Sequence, residues 1–395
     1  MSIKQIIAVI FIFGLGVAGW VTLGAISEFR SGNTYSSMDY AVQDLWGSNI
    51  QQQAPTLSVN VPGTKRKRLL LPESNRLKVD LQLEQRKKGL IWYPTYRVDF
   101  DAVYTVKNTD AVSQNVRLHF PFPSEHATYD HFSFLIDGES QNIELNTREG
   151  IHQLLELTPG QTRSFAIKYK TRGLRNWQYF FSSVNGRVKN LDLMLTTNFS
   201  EVDYLDGSLS PMSVETIDGV TTLQWQAEDL LTRQNIALSM PEKINPGPLS
   251  ARMSFFAPVC LLFFFVLISA LSVIKKINIH PMHYLFVTSG FFAFHLLFAY
   301  LVDVINVHVA FVISSVVSVG LVILYLRSAL GENFPWKIAT VGQLFYLVLF
   351  SYSFFIKGMT GLTVTVGSIL TLAVLMTLTA KLNWNTVFVK KQVTA

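Results

Sequence analysis

Residues 255–292 read FFAPVCLLFFFVLISALSVIKKINIHPMHYLFVTSGFF, and this stretch decides the fold class. Its first run, residues 255–274, carries no charged side chain. An apolar helix of about 20 residues spans the roughly 30 Å hydrocarbon core of a bilayer. Two lysines end this run, and a second apolar run begins directly after the segment His280-Pro-Met-His283. The stretch therefore predicts two membrane helices that are joined by a short polar corner.

The same pattern extends over the rest of the 395-residue chain, of which 49% is hydrophobic. Residues 6–27 form one uncharged run. After a long polar stretch, five more runs lie close together at residues 255–274, 284–302, 307–326, 338–356 and 359–380. The first run is longer than the apolar core of a cleaved signal peptide, which favours an uncleaved anchor. We therefore predict six membrane helices, with an anchor at residues 1–27, a five-helix bundle at 251–385 and a tail at 386–395.

The basic residues of the helical regions predict the orientation in the membrane. Outside residues 28–252 there are nine Lys and Arg side chains, and a cytoplasmic N-terminus puts all of them except Lys357 in the cytoplasm. Such an asymmetry follows the positive-inside rule. It predicts that both termini lie in the cytoplasm and that residues 28–252 lie outside it, which in a bacterium means the periplasm. That segment has 24 basic and 25 acidic residues, so its charge balance does not favour nucleic-acid binding.

The periplasmic part is predicted to consist of a linker at residues 28–75 and an antiparallel β-sandwich at residues 76–250. Apolar and polar residues alternate in RLKVDLQLEQ (76–85) and TYRVDFDAVYTVKN (95–108), among other segments. Asp218-Gly219 marks a tight hairpin turn. The linker is expected to hold one short helix at residues 40–46. The length is compatible with one large sandwich or with two small ones fused near residue 174.

No catalytic, cofactor or metal motif stands out in this domain. Asp99 and Asp101 share one strand face, and two neighbouring carboxylates can catalyse glycoside hydrolysis. The favoured interpretation is that they lie on a solvated strand face. Residues 163–189 carry seven basic and no acidic side chains, whereas residues 190–242 carry nine acidic and one basic. This segregation indicates either a polarised surface for a protein or anionic envelope partner, or cross-strand pairing, which we favour. The single cysteine, Cys260, excludes an intrachain disulfide.

The C-terminal part carries a family resemblance. Its motifs are NPGP (245–248), FFAPV (255–259), IHPMHYL (279–285), YLRSALG (325–331) and GSILTLAVLMTLTAKLNW (367–384). In their order and spacing they resemble the CreD family of bacterial inner-membrane proteins. The resemblance implies a role in envelope integrity, colicin tolerance or stress response, without an established enzymatic activity. The chain differs from the family pattern at His283, where a residue such as Gln is expected. The basic cluster between the fourth and fifth helices is also reduced, to Arg327 and Lys337.

Five polar residues of the helical part are candidates for a functional or structural role: His280, His283, His295, Asp303 and Arg327. Ionisable groups in membrane helices are costly and therefore informative. His280 and His283 are interpreted as a helix corner opened by Pro281, since two ligands alone make a weak metal site. His295 is expected to bond a neighbouring helix through Ser314, Ser315 or Ser318, with a proton relay as the alternative. Gly14 and Ala18 are predicted to mark the packing face of the first helix.

The leading hypothesis is a non-enzymatic inner-membrane protein whose periplasmic domain contacts or senses envelope components. Its expected partners are the lipid bilayer and a periplasmic or inner-membrane protein, and no cofactor is predicted. One alternative is a membrane-embedded transporter or enzyme that uses the bundle around His295. Another is an accessory subunit of a larger membrane complex.

Overall fold

The computed structural model describes residues 3–61, 63–89, 91–125, 127–143, 146–181, 186–331, 334–356 and 358–380. The chain forms two compact units, one of residues 1–36 with 244–395 and one of residues 37–243. We call them the membrane unit and the sheet domain. The helices are α1 (Ile3–Trp46), α2 (Pro246–Lys275), α3 (Pro281–Leu301), α4 (Val307–Leu330), α5 (Trp336–Phe355) and α6 (Thr360–Thr379).

Six helices in the described part of the chain are long and apolar enough to cross a bilayer, as the sequence predicts. The corner between α2 and α3 has the expected construction. The chain leaves α2 through Lys276 in the left-handed conformation (φ 53°), and its backbone N–H bonds carbonyl groups of the last turn. Pro281 then opens α3, where its missing N–H removes no helical hydrogen bond. The helix α5 is irregular, because residues Leu344–Leu349 form a π-helical turn.

The packing face of α1 differs from the predicted one. Gly14 has no atom within 4 Å of a Cβ placed on it, and Ala18 is exposed. The close contacts are made by Gly16 and Gly24, where an added Cβ would lie 2.7 Å from atoms of Thr288 and Phe255, respectively. Small residues occur on both faces of this helix, so only the neighbouring helices decide which face packs.

The sheet domain has sixteen strands in the described residues. They are β1 (Ile50–Gln53), β2 (Thr56–Asn60), β3 (Lys67–Leu70), β4 (Ser74–Lys88), β5 (Ile91–Lys107), β6 (Gln114–Phe120), β7 (Asp130–Ile136), β8 (Glu139–Ser140), β9 (Ile151–Leu157), β10 (Thr162–Leu174), β11 (Asn176–Phe180), β12 (Arg187–Thr197), β13 (Asp203–Tyr204), β14 (Ser213–Ile217), β15 (Val220–Leu231) and β16 (Ile236–Ser239).

These strands form three sheets, in the orders β14-β15-β12-β4-β5-β10-β7-β8, β1-β11-β16-β13 and β3-β2-β6-β9. Neighbouring strands are antiparallel except in the pairs β1–β11 and β4–β12, which are parallel. The sequence predicts an antiparallel domain and misses these two pairs. Each of these pairs joins strands that are far apart in sequence, so no local turn motif predicts the pairing.

The two four-stranded sheets pack on one face of the eight-stranded sheet. Phe100 of β5 contacts Phe120 of β6, with ring centroids 6.3 Å apart. The hydroxyl groups of Tyr104 and Tyr179 are 3.0 Å apart, and Tyr169 donates a 2.6 Å hydrogen bond to Gln52 Oε1. Residues of all three sheets belong to one hydrophobic core, which favours a single sandwich over two fused ones.

Residues 28–75 are not a linker, contrary to the prediction. They contain the end of α1 and the strands β1, β2 and β3. Ile50 and Leu57 are fully buried in the core of the sheet domain. The sequence does not predict β1 because its last three residues are glutamines. One of them, Gln52, is buried, and hydrogen bonds satisfy its polar atoms. The sheet domain thus begins before residue 76, and it ends at residue 243 rather than 250 because α2 begins at Pro246.

Candidate functional site

The five polar residues predicted from the membrane unit lie at separate places and do not form one site. His280 is the N-cap of α3, where its Nδ1 accepts a 3.3 Å hydrogen bond from the Met282 N–H. His283 Nδ1 lies 2.9 Å from the hydroxyl group of Tyr325, which connects α3 to α4. Among the described residues, no group of three metal-ligating side chains occurs. Both histidines therefore have structural partners at the corner.

His295 is buried in the bundle, but its hydrogen bond is not the expected one. Its Nδ1 lies 3.0 Å from the carbonyl oxygen of Phe291, one turn earlier in the same helix. Its Nε2 has no hydrogen-bond partner in the described part of the chain. The ring packs edge-on against Trp20 of α1, with centroids 5.8 Å apart. The serines of α4 bond elsewhere, so the predicted bond from His295 to that helix is wrong.

One of those serines does connect helices, through a set of residues that the sequence does not single out. Ser318 donates a 2.7 Å hydrogen bond to the carbonyl oxygen of Gly290 in α3, and Gln343 of α5 donates to Ser318 Oγ at 3.3 Å. A Cβ at Gly290 would lie 2.3 Å from Val322, so only glycine permits this close approach of α3 and α4. The set joins α3, α4 and α5 within the apolar bundle.

The two remaining candidates lie at helix ends. Asp303 follows α3 and forms a 2.7 Å ion pair with Arg30 of α1. The Arg327 guanidinium lies 5.6 Å from the ring centroid of Trp336, which begins α5. Both arrangements connect the ends of neighbouring helices. A charged side chain at a helix end is stabilised by an oppositely charged or aromatic partner beside it.

The outward face of the eight-stranded sheet carries rows of charged side chains that face one another across strands. In one row, Asp80 of β4 is opposite Asp99 of β5, and Asp99 is opposite Lys170 of β10. In the next row, Asp101 is opposite both Lys78 and Lys168. The ion pairs Lys170–Asp99 and Lys168–Asp101 measure 3.0 and 3.1 Å. This pairing supports the solvated strand face expected for Asp99 and Asp101.

The first row forms the floor of a cavity of about 720 Å³. Two acidic residues, Asp130 and Asp44, two basic ones, Arg97 and Arg172, and His131 form its wall. Gly47 at the end of α1 helps to shape this wall, because a Cβ on it would lie 2.3 Å from the Arg172 carbonyl oxygen. The cavity therefore presents both signs of charge to a ligand or partner.

Cross-strand pairing also explains the segregation of charge along the sequence. Arg187 and Asp229 form a 2.6 Å ion pair between β12 and β15, and Lys189 pairs with Glu73 at 3.0 Å. The hydrogen bond from Arg187 lowers the pKa of the Asp229 carboxyl group, and Arg68 lowers the pKa of Asp110 in the same way. The basic segment thus meets acidic partners within the domain, as the favoured interpretation predicts.

Burial dominates the tyrosines of the core. It raises the pKa of Tyr129 to about 12, and it also raises the pKa values of Tyr104, Tyr169 and Tyr179. These hydroxyl groups therefore stay protonated at neutral pH and form hydrogen bonds inside the domain. They support the fold, whereas the cavity on the opposite face of the eight-stranded sheet carries the exposed charges.

Six apolar helices and a sheet-rich domain define a multi-pass membrane protein with a large domain outside the hydrocarbon. Residues 213–385 match the family model described as "Inner membrane protein CreD". This match confirms the resemblance predicted from the C-terminal motifs, and it also includes the last strands of the sheet domain, from β14 onward. No curated protein matches the chain significantly.

Two solved structures show a weak similarity to the chain. One is a protein described as nutrient binding from Legionella pneumophila, with 12% identity, 60% of this chain and 82% of that chain covered, and a TM-score of 0.32. The other is an M1 zinc metallopeptidase from Deinococcus radiodurans, with 9% identity, 80% and 92% coverage, and a TM-score of 0.27. At these TM-scores neither protein informs the function of this chain.

Proposed function

We propose that this chain is a non-enzymatic protein of the bacterial inner membrane that acts in envelope integrity or envelope stress response. In this proposal the sheet domain lies in the periplasm and contacts or senses an envelope component, while the helices anchor it in the bilayer. The match of residues 213–385 to an inner-membrane family supports the location. The charged cavity of the sheet domain supports the contact.

The cavity is the observation that carries this proposal. Asp99 is engaged by Lys170, whereas the Arg172 and His131 side chains are exposed beside it. A partner with its own alternating charges gains orientation and specificity from such a surface, because like-charge mismatches are costly. A protein surface, or an anionic envelope component with polar groups, fits this description.

A photo-cross-linking residue at position 131 tests for such a partner in living cells. We expect a discrete adduct from position 131, at the cavity, and none from position 112 in the exposed turn after β5, where the Val112 side chain is 62% exposed. Equal cross-linking from both positions would show that the cavity has no preferred partner. Purification in mild detergent then tells a single contact from an accessory subunit of a stable complex.

A matched pair of charge reversals tests whether the cavity matters for function. Lys170 and Lys189 both form 3.0 Å ion pairs with a carboxylate, but only Lys170 lines the cavity. We expect Lys170→Glu to lose complementation of an envelope-stress phenotype in a deletion strain and Lys189→Glu to keep it. Loss in both variants at reduced protein levels would indicate a stability effect, and retention in both would contradict the proposal.

The orientation is open to a direct test by cysteine labelling in a Cys260→Ala background. Cysteine at position 112 of the sheet domain is expected to react with an impermeant reagent in intact cells, and cysteine at position 275 only after permeabilisation. Lys275 ends α2 beside Lys276, on the side that the charge asymmetry assigns to the cytoplasm. Labelling of position 275 from outside would overturn the proposed periplasmic location.

A further inference from the structure

The strand β14 ends the eight-stranded sheet and pairs on one side only, with β15. Asp218 (φ 49°) and Gly219 (φ 80°) form the two-residue turn between these strands, and Ile217 is directly opposite Val220. In a hairpin of this kind the pair that flanks the turn exchanges both backbone hydrogen bonds. Bonded and non-bonded pairs then alternate along the two strands.

This alternation assigns Val214 and Thr216 to the pairs that have no backbone bonds to β15. The hydroxyl oxygens of Thr216 and Thr221 are 3.0 Å apart, as expected where opposite side chains approach closely in a non-bonded pair. The N–H and C=O groups of Val214 and Thr216 therefore point away from β15. No other strand in the described part of the chain pairs with them. Such a row of donors and acceptors can bind an added strand.

The face of β14 that continues the hydrophobic core is uncovered. Val214 is opposite Leu223, which is fully buried, so the Val214 side chain lies on the inner face of the sheet. Val214 is nevertheless 55% exposed, and Met212, directly before the strand, is 74% exposed. Natural sheet edges are commonly protected by lysine, by proline or by a very short strand. The five residues of β14, SVETI, include no such protection.

The charge of the hairpin distinguishes between possible occupants of this edge. Residues 213–231 carry four acidic and no basic side chains, and Glu215 lies exposed between Val214 and Thr216. A second copy that used Val214 and Thr216 of both strands would place Glu215 directly opposite Glu215. Like charges in that position destabilise a strand pair. A strand with lysine or arginine opposite Glu215 is stabilised instead.

We propose that β14 is the docking site for an extended, basic segment of a partner protein, which adds a further strand to the eight-stranded sheet. Its backbone bonds Val214 and Thr216, its apolar side chains lie beside Val214 on the inner face, and a basic side chain faces Glu215. Main-chain hydrogen bonds give such strand addition its affinity, and alternate side chains give it specificity. The strands β15 and β12 separate this edge from β4 and the charged cavity, so the site is independent of the cavity.

Fluorescence anisotropy tests the proposal on the full-length protein in detergent. The probe is a short labelled peptide in which valine and lysine alternate. One control peptide has glutamate in place of lysine, and the other has N-methylated backbone amides. We expect the lysine peptide to bind at micromolar concentrations and both controls to bind at least about tenfold more weakly, because they lose the charge match or the backbone hydrogen bonds. Equal binding of all three peptides, or no binding of the lysine peptide, would overturn the proposal.

Substitutions in β14 test whether the peptide binds at this edge. Proline at position 214 removes an outward N–H group and no hairpin bond, so Val214→Pro should keep the circular dichroism of the sheets and weaken peptide binding by at least about tenfold. Glu215→Lys reverses an exposed charge without changing the backbone and should weaken binding by about fivefold. Asp206→Lys, in an exposed turn of the same domain, is the matched control and should bind as the unchanged protein does.

Two outcomes of these substitutions would contradict the assignment. One is undiminished peptide binding by the Glu215→Lys protein, which also keeps the test valid if the proline variant does not fold. The other is an unchanged protein that is dimeric in detergent and becomes monomeric on Val214→Pro. A second copy would then occupy the edge in place of a basic partner segment.

Discussion

Arg30 and Asp303 form an ion pair in which Nη2 lies 2.7 Å from Oδ2, and this pair ties the first membrane helix to the turn after the third. The same Arg30 nitrogen donates a 3.0 Å hydrogen bond to the carbonyl oxygen of Ala299. The Asp303 side chain is only 19% exposed, whereas the Arg30 side chain is 39% exposed. Asp303 thus has a partner on α1 that its own helix does not supply.

Replacement of Asp303 by Asn should destabilise the membrane unit slightly. We expect a loss of no more than about 1 kcal/mol, because the exposed half of the pair is screened by solvent. The measurement is the thermal unfolding midpoint in detergent, with Glu28→Gln as a control at an exposed carboxylate of α1. An Asp303→Asn midpoint no lower than that of Glu28→Gln would show that the pair contributes nothing.

Replacement of His295 by Gln should leave complementation of an envelope-stress phenotype intact. The Nδ1 atom of His295 bonds within its own helix, and the ring otherwise packs against Trp20. His295→Leu is expected to lower the unfolding free energy by no more than about 1 kcal/mol. A His295→Gln variant that is folded and inserted but inactive would indicate that His295 transfers a proton or binds a substrate. The transporter hypothesis would then replace the leading one.

A fragment of residues 37–243 should fold without the membrane unit, since these residues form a compact unit with their own core. We expect a soluble protein with β-type circular dichroism. A fragment of residues 76–243 should be insoluble or unfolded, because it lacks β1, β2 and β3 and with them buried Ile50 and Leu57. Equal solubility of the two fragments would show that the first three strands are dispensable.

Acid should weaken the sheet domain through its paired carboxylates. The hydrogen bond from Arg187 lowers the pKa of Asp229, so the folded state binds fewer protons there than the unfolded chain. The resulting stability is present above the ordinary Asp pKa of about 4 and is lost as pH falls through the lower folded value. Unfolding midpoints between about pH 5 and pH 3 should therefore depend less on pH in Asp229→Asn than in the control Asp206→Asn. Identical slopes would contradict the assignment.

The sequence determined the membrane class and much of the strand content. Six uncharged runs of spanning length predict membrane helices. Inside the hydrocarbon every backbone N–H and C=O group needs a hydrogen bond, and a helix supplies these bonds within one segment. The period of two along β4 and β5 likewise fixes which side chains are buried, since alternate residues point to opposite faces. Both are local properties, so one segment at a time suffices to derive them.

Only the tertiary structure decided which distant residues meet. The partner of Asp303 on α1, the packing face of that helix at Gly16 and Gly24, and the stacking of His119 on His152 all join segments far apart in the chain. The polar segment β1 forms a strand because it pairs with β11 and because Tyr169 donates a hydrogen bond to Gln52. The sequence of β1 alone does not predict these partners. Periodicity reports whether a residue is buried, but the choice of neighbour depends on strand order and helix contacts, which are set by the whole fold.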